Sequence, residues 1–380
     1  MVRASLNRFE IIIAGGGPAG SLLAYYAAQR GYEVLLVDRA RFPRTKPCGG
    51  GITVKAAGLI PFAWQDIVED VTLVSTLVNQ RVCRLQWPQP VCYMITRDKF
   101  DHLMLDNARR AGAIIKEGCG VMEVRRDSAG VTVRLENGTL YEGEILVGAD
   151  GAHSRVAPLL NKGKRQGFAA VAEVAAPADR LEAVRNSLIV DFKVIPYGYG
   201  WVFPKRDHLN VGVCTMNPTV KPLGSYLQSL LRKQNLAPGW VRRKYGFPLP
   251  HHAGVNRVFG EGRIILLGDA AGLNDPFTGE GIYTALYSAT LTAEVLQDRY
   301  RRWNDITAAY QKRIMELVVP EWKKAYLVAR LFYATPLGAS FLEKRPYLAQ
   351  ELWDVLYSGR YCDIKKVLGR NWWRLFYRGS

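Results

Sequence analysis

Two hydrophobic periods, one near two and one near 3.6, divide this chain into strands and helices. The apolar run Phe9–Ala14 is followed by Gly15-x-Gly17-x-x-Gly20, then by small apolar residues at helical spacing. A second apolar run, Val34–Val37, ends on Asp38. The pattern predicts strand, glycine turn, helix and strand in the order of a dinucleotide-binding unit. Short strands are expected at Val71–Val78, Val82–Leu85 and Val91–Thr96, where Asn, Gln and Pro separate the runs. A helix opens at Arg97, with Phe100, Leu103, Met104 and Ala108 on one face, and Gly112 ends it. Strands follow at Ala113–Glu117, Gly120–Arg126, Val131–Leu135 and Leu140–Val147, with a hairpin at Glu136-Asn137-Gly138. Two further apolar strands end in a Gly and Asp pair, at Gly148-Ala149-Asp150-Gly151 and at Gly268-Asp269; the second leads into a helix over Ile282–Leu296.

Between these strand ends, strand-like runs occupy Ala169–Val174, Leu188–Phe192, Gly200–Phe203 and Leu209–Cys214. Tyr197, Tyr199, Trp201 and Phe203 fall on every second position, which as a strand sends all four rings to one face. They form either a core face or an aromatic wall. From Arg299 onward the pattern is helical and mixes aromatic and cationic residues, as at Trp322–Tyr333 and Asn371–Arg378.

The chain has 380 residues, 48% of them hydrophobic, enough for one large or two ordinary cores. Lys and Arg number 51 against 34 Asp and Glu, a net charge of +17, so the surface favours anionic surroundings. The excess is densest in Asp298–Ser380, with 16 basic and 8 acidic residues, a composition suited to a membrane interface as well as to a solvated helix face. Lys162–Arg165 and Arg242–Lys244 are further basic clusters. Nucleic-acid binding is disfavoured, because no recognised module accompanies the charge. Six cysteines, Cys48, Cys83, Cys92, Cys119, Cys214 and Cys362, lie without any Cys-x-x-Cys. That argues for a reducing, cytoplasmic setting and against a zinc site. No segment approaches the roughly 20 apolar residues of a spanning helix, so any membrane contact is expected to be peripheral.

Candidate chemistry gathers on the glycines. Gly15 and Gly17 allow a tight turn and close approach to a pyrophosphate, Gly20 allows close helix packing, and Asp38 is placed for ribose hydroxyls. The Gly- and Pro-rich loop Arg39–Gly51 leaves the second strand on the ligand side; Arg44 and Lys46 are candidate phosphate or ribose contacts, and Cys48 is either inert or pressed on a cofactor ring. Thr278-Gly279-Glu280-Gly281 aims a helix start at an anionic ring edge. His251 and His252 are read as structural or surface residues.

The fingerprints Gly15–Gly20, Asp38, Arg97-x-x-Phe100-Asp101, Ala149-Asp150-Gly151 and Gly268-Asp269-Ala270-Ala271 resemble flavoproteins of the para-hydroxybenzoate-hydroxylase fold over residues 9–300. Phe42–Gly51 and Tyr199-Gly-Trp-Val-Phe-Pro204 narrow the resemblance to the geranylgeranyl reductase family. The resemblance implies FAD, held by Gly15, Gly17, Pro18, Ala19, Gly20 and Asp38 with Arg39 and Arg44. Cys48, Gly49, Gly50, Arg97, Asp150, Gly268, Asp269, Gly279, Gly281 and Ile282 complete the implied cofactor set. It implies an α/β chain: a Rossmann-like FAD-binding domain (1–70, 95–166 and 256–298), a mostly antiparallel inserted substrate domain (71–94 and 167–255), and a C-terminal helical region (299–380). Some relatives carry an acid among the glycines after the cysteine, whereas Gly49, Gly50 and Gly51 supply none.

The expected reaction is saturation of C=C bonds in an isoprenoid or lipid chain by hydride from reduced flavin plus a proton. Cys48, Tyr199 and Trp201 are the catalytic candidates, and Tyr197, Tyr199, Trp201 and Phe203 the substrate contacts. A monooxygenase of the same fold and a non-catalytic prenyl-binding protein are the alternatives. No second Gly-x-Gly-x-x-Gly follows a strand, so electrons are expected from transient NADPH or from an electron-carrier protein.

Overall fold

A computed structural model describes residues 7–78, 82–161, 165–251, 257–297 and 302–334, together with 350, 353, 354 and 357. The elements run in chain order: β1 (Asn7–Ala14), α1 (Pro18–Gln29), β2 (Val34–Asp38), β3 (Gly51–Thr53), α2 (Val54–Ala57), β4 (Asp70–Thr72), β5 (Val74–Val78), β6 (Val82–Gln86) and β7 (Cys92–Met94). Next come α3 (Arg97–Arg110), β8 (Ile114–Glu117), β9 (Val121–Arg126), β10 (Val131–Leu135), β11 (Leu140–Gly148), β12 (Arg165–Val174), α4 (Ala178–Glu182), β13 (Ser187–Asp191), β14 (Gly198–Pro204) and β15 (Leu209–Thr215). The remainder is α5 (Leu223–Lys233), β16 (Val241–His251), β17 (Gly260–Glu261), β18 (Ile264–Leu266), α6 (Gly268–Ala271), α7 (Ile282–Val295), α8 (Trp303–Leu317) and α9 (Val319–Ala334).

The first sheet has the order β17-β18-β11-β1-β2-β8, with the β9–β10 hairpin attached to β11. Strands β18, β11, β1, β2 and β8 run parallel along this path. Parallel central strands are covered on both faces, which is why β1 and β2 are nearly continuous in apolar residues, with Ile11, Ile12, Ile13, Leu35 and Leu36 fully buried. Because these strands point the same way, β1, β2, β11 and β18 all deliver their carboxyl ends to one edge.

The second sheet has the order β16-β12-β15-β14-β13-β5-β6 and is antiparallel except where β13 meets β5. A third, small sheet is β3-β7-β4. The predicted Val71–Val78 strand therefore divides at Leu73: β4 pairs with β7, while β5 crosses to β13 in the larger sheet. Leu73 N–H bonds to Asn186 O at the point of division, so the backbone stays paired while changing partners.

Two elements carried no clear signal. Strand β16 holds Arg242–Lys244 and two prolines, a poor strand pattern, yet it pairs along β12 as the edge of its sheet. An edge tolerates Pro248 and Pro250 because only one side of the strand must supply donors. Helix α5 buries Leu227, Leu230 and Leu231 against Val202, Val211 and Val213 of the sheet. Among the described residues no helix is long and apolar enough to cross a membrane. Asn371–Arg378, Cys362, His252 and Lys162–Lys164 lie outside the described residues.

Candidate active site

The carboxyl ends of the parallel strands open onto a cavity of ≈ 670 Å³ that continues under the second sheet. At its first end, β1 turns into α1 through Gly15, whose φ of 105° belongs to the glycine region. A Cβ on Gly20 would sit 1.9 Å from Gly15 O, so the helix reaches its place on the sheet only without a side chain there. Gly20 thus lies behind the cavity, whereas Gly15, Gly17, Pro18 and Ala19 line it. Helix α1 has no side-chain cap and no acid in its first turn, which leaves its partial positive charge directed into the cavity.

Asp38 ends β2 and accepts Gly16 N–H at 2.7 Å and Ala40 N–H at 2.8 Å, one on each carboxylate oxygen. Each oxygen keeps a second acceptor site for a hydroxyl. Arg39 and Glu136 extend this end of the cavity. Glu136 carried no signal in the sequence beyond its hairpin turn.

Farther along, Arg97 holds Asp101 through Nε–Oδ1 at 2.7 Å and Nη2–Oδ2 at 2.8 Å, and Arg44 Nη1 stands 3.0 Å from the same Oδ2. Burial opposes the Arg97 charge, but the Asp101 carboxylate outweighs it and raises the pKa. For Arg44, burial wins and lowers it. Both cations line the cavity, and Asp101, the last residue of the Arg97-x-x-Phe100-Asp101 motif, is fully buried behind them.

Asp150 accepts Arg155 N–H at 2.7 Å on Oδ2, while its buried Oδ1 has no partner in the structure. Burial pushes its carboxyl pKa up. Across the cavity, Asp269 in α6 accepts Asn274 Nδ2–H at 3.0 Å and lies 3.6 Å from Lys46 Nζ. The turn before α7 brings Gly279, Gly281 and Ile282 to the wall, and α7, like α1, begins with no side-chain cap and no acid. Glu280 is turned to Thr53 Oγ1 (2.7 Å) and Lys55 Nζ (2.6 Å).

The far part of the cavity is apolar and aromatic. Tyr199, Trp201 and Phe203 project from β14 with ring centroids 6.1 Å apart at each step. Tyr199 Oη–H donates to Thr278 O, tying this wall to the turn before α7. Phe192, Phe277, Tyr333 and Trp353 face them. Tyr197 corrects the expectation of four rings on one face: β14 begins at Gly198, and Tyr197 is 39% exposed, does not line the cavity and has φ 53°. A left-handed residue turns the chain out of the strand, so its side chain leaves the period-two face.

Cys48, Gly49 and Gly50 stand where the two parts of the cavity join, with Gly49 packed on Phe203 and Trp201. Cys48 Sγ accepts Gly50 N–H at 3.3 Å and faces the Arg97 guanidinium. Behind this loop are Lys205 and Asn210, which no sequence motif marks.

These features fit a dinucleotide cofactor. Two uncapped helix starts suit anionic groups, the unpartnered Asp150 Oδ1 needs a donor, and at Gly17 an added Cβ would meet only Arg44 Nη2, at 3.7 Å, so the glycine keeps open space. Residues 8–186 match the family model of the FAD binding domain. The chain is 30% identical to the menaquinone reductase of Mycolicibacterium smegmatis over 76% of each protein. It is 28% identical to the chloroplastic geranylgeranyl diphosphate reductase of Nicotiana tabacum, covering 90% of this chain and 78% of that one. This chain belongs to the geranylgeranyl reductase family.

The solved structure of a geranylgeranyl bacteriochlorophyll reductase-like protein from Thermoplasma acidophilum superposes with a TM-score of 0.77 at 20% identity, over 97% of this chain and 100% of that one. The fold is therefore that of the geranylgeranyl reductase family, and the protein is an FAD-dependent oxidoreductase. In this family member, Gly15, Gly17, Arg44, Arg97, Asp150 and Asp269 are the side of the cavity suited to FAD, and the β14 rings are the opposite side.

Proposed function

We propose that this family member saturates C=C bonds in the isoprenoid chain of a lipid or prenyl substrate. The observation that carries the reading is one continuous cavity joining the FAD-suited residues to a chamber walled by Tyr199, Trp201, Phe203, Phe192 and Phe277. Bound FAD, when reduced, supplies the hydride, and NADPH or a reduced carrier protein is the proposed source of its electrons.

The rings exclude water and turn apolar faces toward the chain. Proton delivery to the less substituted carbon of a trisubstituted alkene builds positive charge on the tertiary carbon, which takes the hydride, and each desolvated ring face stabilises that charge by about 0.5 to 2 kcal/mol. Cys48 Sγ is the proposed proton source for the less substituted carbon. Solvent returns the proton to Cys48 before the next turnover.

Contact with an anionic lipid surface is part of the same reading. Leu327 and Leu331 are exposed one turn apart on α9, which also carries the exposed cations Lys323 and Arg330, while Tyr333 of that helix lines the chamber. Cosedimentation with phosphatidylglycerol vesicles and its loss in Leu327→Ser/Leu331→Ser checks this contact.

The deciding experiment is mass spectrometry of the products after dithionite-reduced holoprotein meets geranylgeranyl diphosphate and geranylgeranylated lipids. A gain of two hydrogens per reduced bond supports the reading. Oxygenated products, or unchanged substrate in every case, overturn it. Full single-turnover rates in both Cys48→Ser and Cys48→Ala remove Cys48 from the proton path.

A further inference from the structure

Three successive backbone carbonyls of the cysteine loop are bound from behind. Asn210 Nδ2–H donates to Cys48 O at 3.0 Å, and Lys205 Nζ donates to Gly49 O at 2.9 Å and Gly50 O at 3.1 Å. A third Lys205 bond, to Ile95 O at 2.8 Å, ties the loop to the chain beyond β7. Lys205 and Asn210 are each 2% exposed and neither lines the cavity, whereas Cys48, Gly49 and Gly50 all do. The carbonyls are therefore drawn out of the cavity wall into the β14–β15 hairpin.

The same hairpin carries the rings. Asn210 Oδ1 accepts Trp201 Nε1–H at 2.8 Å, and Asn210 Nδ2 also donates to Glu173 Oε1 at 2.9 Å. One amide thus sets both a ring of the aromatic wall and the backbone of Cys48.

We propose that Lys205 and Asn210 are positioning residues, which fix the distance between the Cys48 thiol and the aromatic wall by clamping the Cys48–Gly50 carbonyls. The placement of the loop is independent of the reaction; its consequence for turnover rests on the reductase reading above.

The stoichiometry of donors gives this clamp a pH limit. An ammonium has three N–H donors for the three carbonyls, whereas a neutral amine has two and drops one of the three bonds. Burial lowers the Lys205 pKa to about 8, partly offset by the nearby carboxylates of Glu173 and Glu69, with the Cys48 and Cys92 thiols also close by. Below that pH all three bonds are held; above it one of them is lost and the clamp is loosened.

The test uses the FAD-loaded full chain with Lys205→Met and Asn210→Leu, and Lys205→Arg as the conservative control. Amide hydrogen exchange across Thr45–Thr53 and iodoacetamide labelling of Cys48 are followed at one pH near neutrality, and turnover is followed across pH. Losing these buried hydrogen bonds speeds exchange and labelling by roughly 10-fold in Lys205→Met and Asn210→Leu. Lys205→Arg restores part of the protection. Wild-type turnover falls on the alkaline side with a midpoint near 8, and Lys205→Met loses that limb.

Unchanged exchange and labelling in either folded variant overturns the proposal. If Lys205→Met does not fold, Asn210→Leu and the wild-type pH profile decide. If no substrate gains hydrogen, the reductase reading fails while the exchange and labelling data still judge the clamp.

Discussion

Arg97 grips the fully buried carboxylate of Asp101 with two parallel bonds, 2.7 and 2.8 Å long, and Arg44 stands 3.0 Å from the same acid. One carboxylate therefore balances two guanidinium groups that wall the cavity. Asp101→Asn keeps the shape and removes the charge, leaving both cations uncompensated. Breaking such a pair costs about 3 to 5 kcal/mol. Denaturant unfolding is expected to show a loss of that size, and FAD titration a weaker complex. Unchanged unfolding would mean that the two arginines are neutralised by other means.

His208 supplies a pH dependence on the outer side of the hairpin. Burial works to lower its pKa, but Glu173 (Nε2–Oε2, 3.0 Å) and Asp207 (Nδ1–Oδ1, 2.8 Å) prevail and raise it. The folded chain then holds the proton more tightly than the unfolded chain. Its contribution is complete below the ordinary histidine value of 6.5 and disappears as pH rises through the higher folded value. Wild type is expected to exceed His208→Gln in unfolding free energy by about 1 to 2 kcal/mol in acid, with the gap closing on the alkaline side. Urea titrations of both proteins across this interval check the sign. A gap that widens with pH would refute it.

Much of the nucleotide half was legible because its signals are local. Backbone constraints at Gly15 and Gly20, and the apolar runs of β1 and β2, act within one strand-turn-helix segment. The aromatic wall was legible to the extent that β14 is regular; Tyr197 departs because a left-handed residue interrupts the period-two pattern. Asn210 and Lys205 gave little warning, since their partners at Cys48 and Gly49 are 162 and 156 positions away. Strand β16 was hidden for a related reason: Pro248 and Pro250 read as breakers until β12 makes the segment an edge.

Gly212 makes room for Trp201. A Cβ there would lie 2.2 Å from Trp201 Cζ2 and 2.6 Å from Cε2, so Gly212→Ala forces the indole away from the position in which it bonds Asn210. Overpacking of this kind costs about 1 to 3 kcal/mol. On the reductase reading, turnover falls roughly 10-fold or more, because 1.4 kcal/mol is a tenfold rate change. FAD affinity is expected to stay close to wild type, since Gly212 is on the hairpin. Tryptophan fluorescence reports the displacement, and product analysis the rate. Full turnover with a displaced indole would remove Trp201 from the working surface.

Gly17 and Gly20 belong to one motif but serve different ends, and alanine at each separates them. At Gly20 the new methyl would stand 1.9 Å from Gly15 O, a backbone atom that cannot yield without unseating α1 from β1. Gly20→Ala is expected to lower the stability of the apoprotein by at least about 3 kcal/mol, at the upper end of overpacking costs. At Gly17 the backbone is extended, φ −74° and ψ −176°, a conformation open to alanine, and the nearest atom is Arg44 Nη2 at 3.7 Å. Gly17→Ala should therefore change apoprotein stability by less than about 1 kcal/mol, the difference between glycine and alanine before a helix. The same methyl occupies the space in front of the α1 N–H groups that FAD phosphates need. Affinity for FAD should drop by about 100-fold, equivalent to roughly 2.7 kcal/mol. Thermal unfolding without cofactor and fluorescence titration with it give the two numbers for each variant. A Gly17→Ala protein that binds FAD like wild type would move the pyrophosphate away from the start of α1.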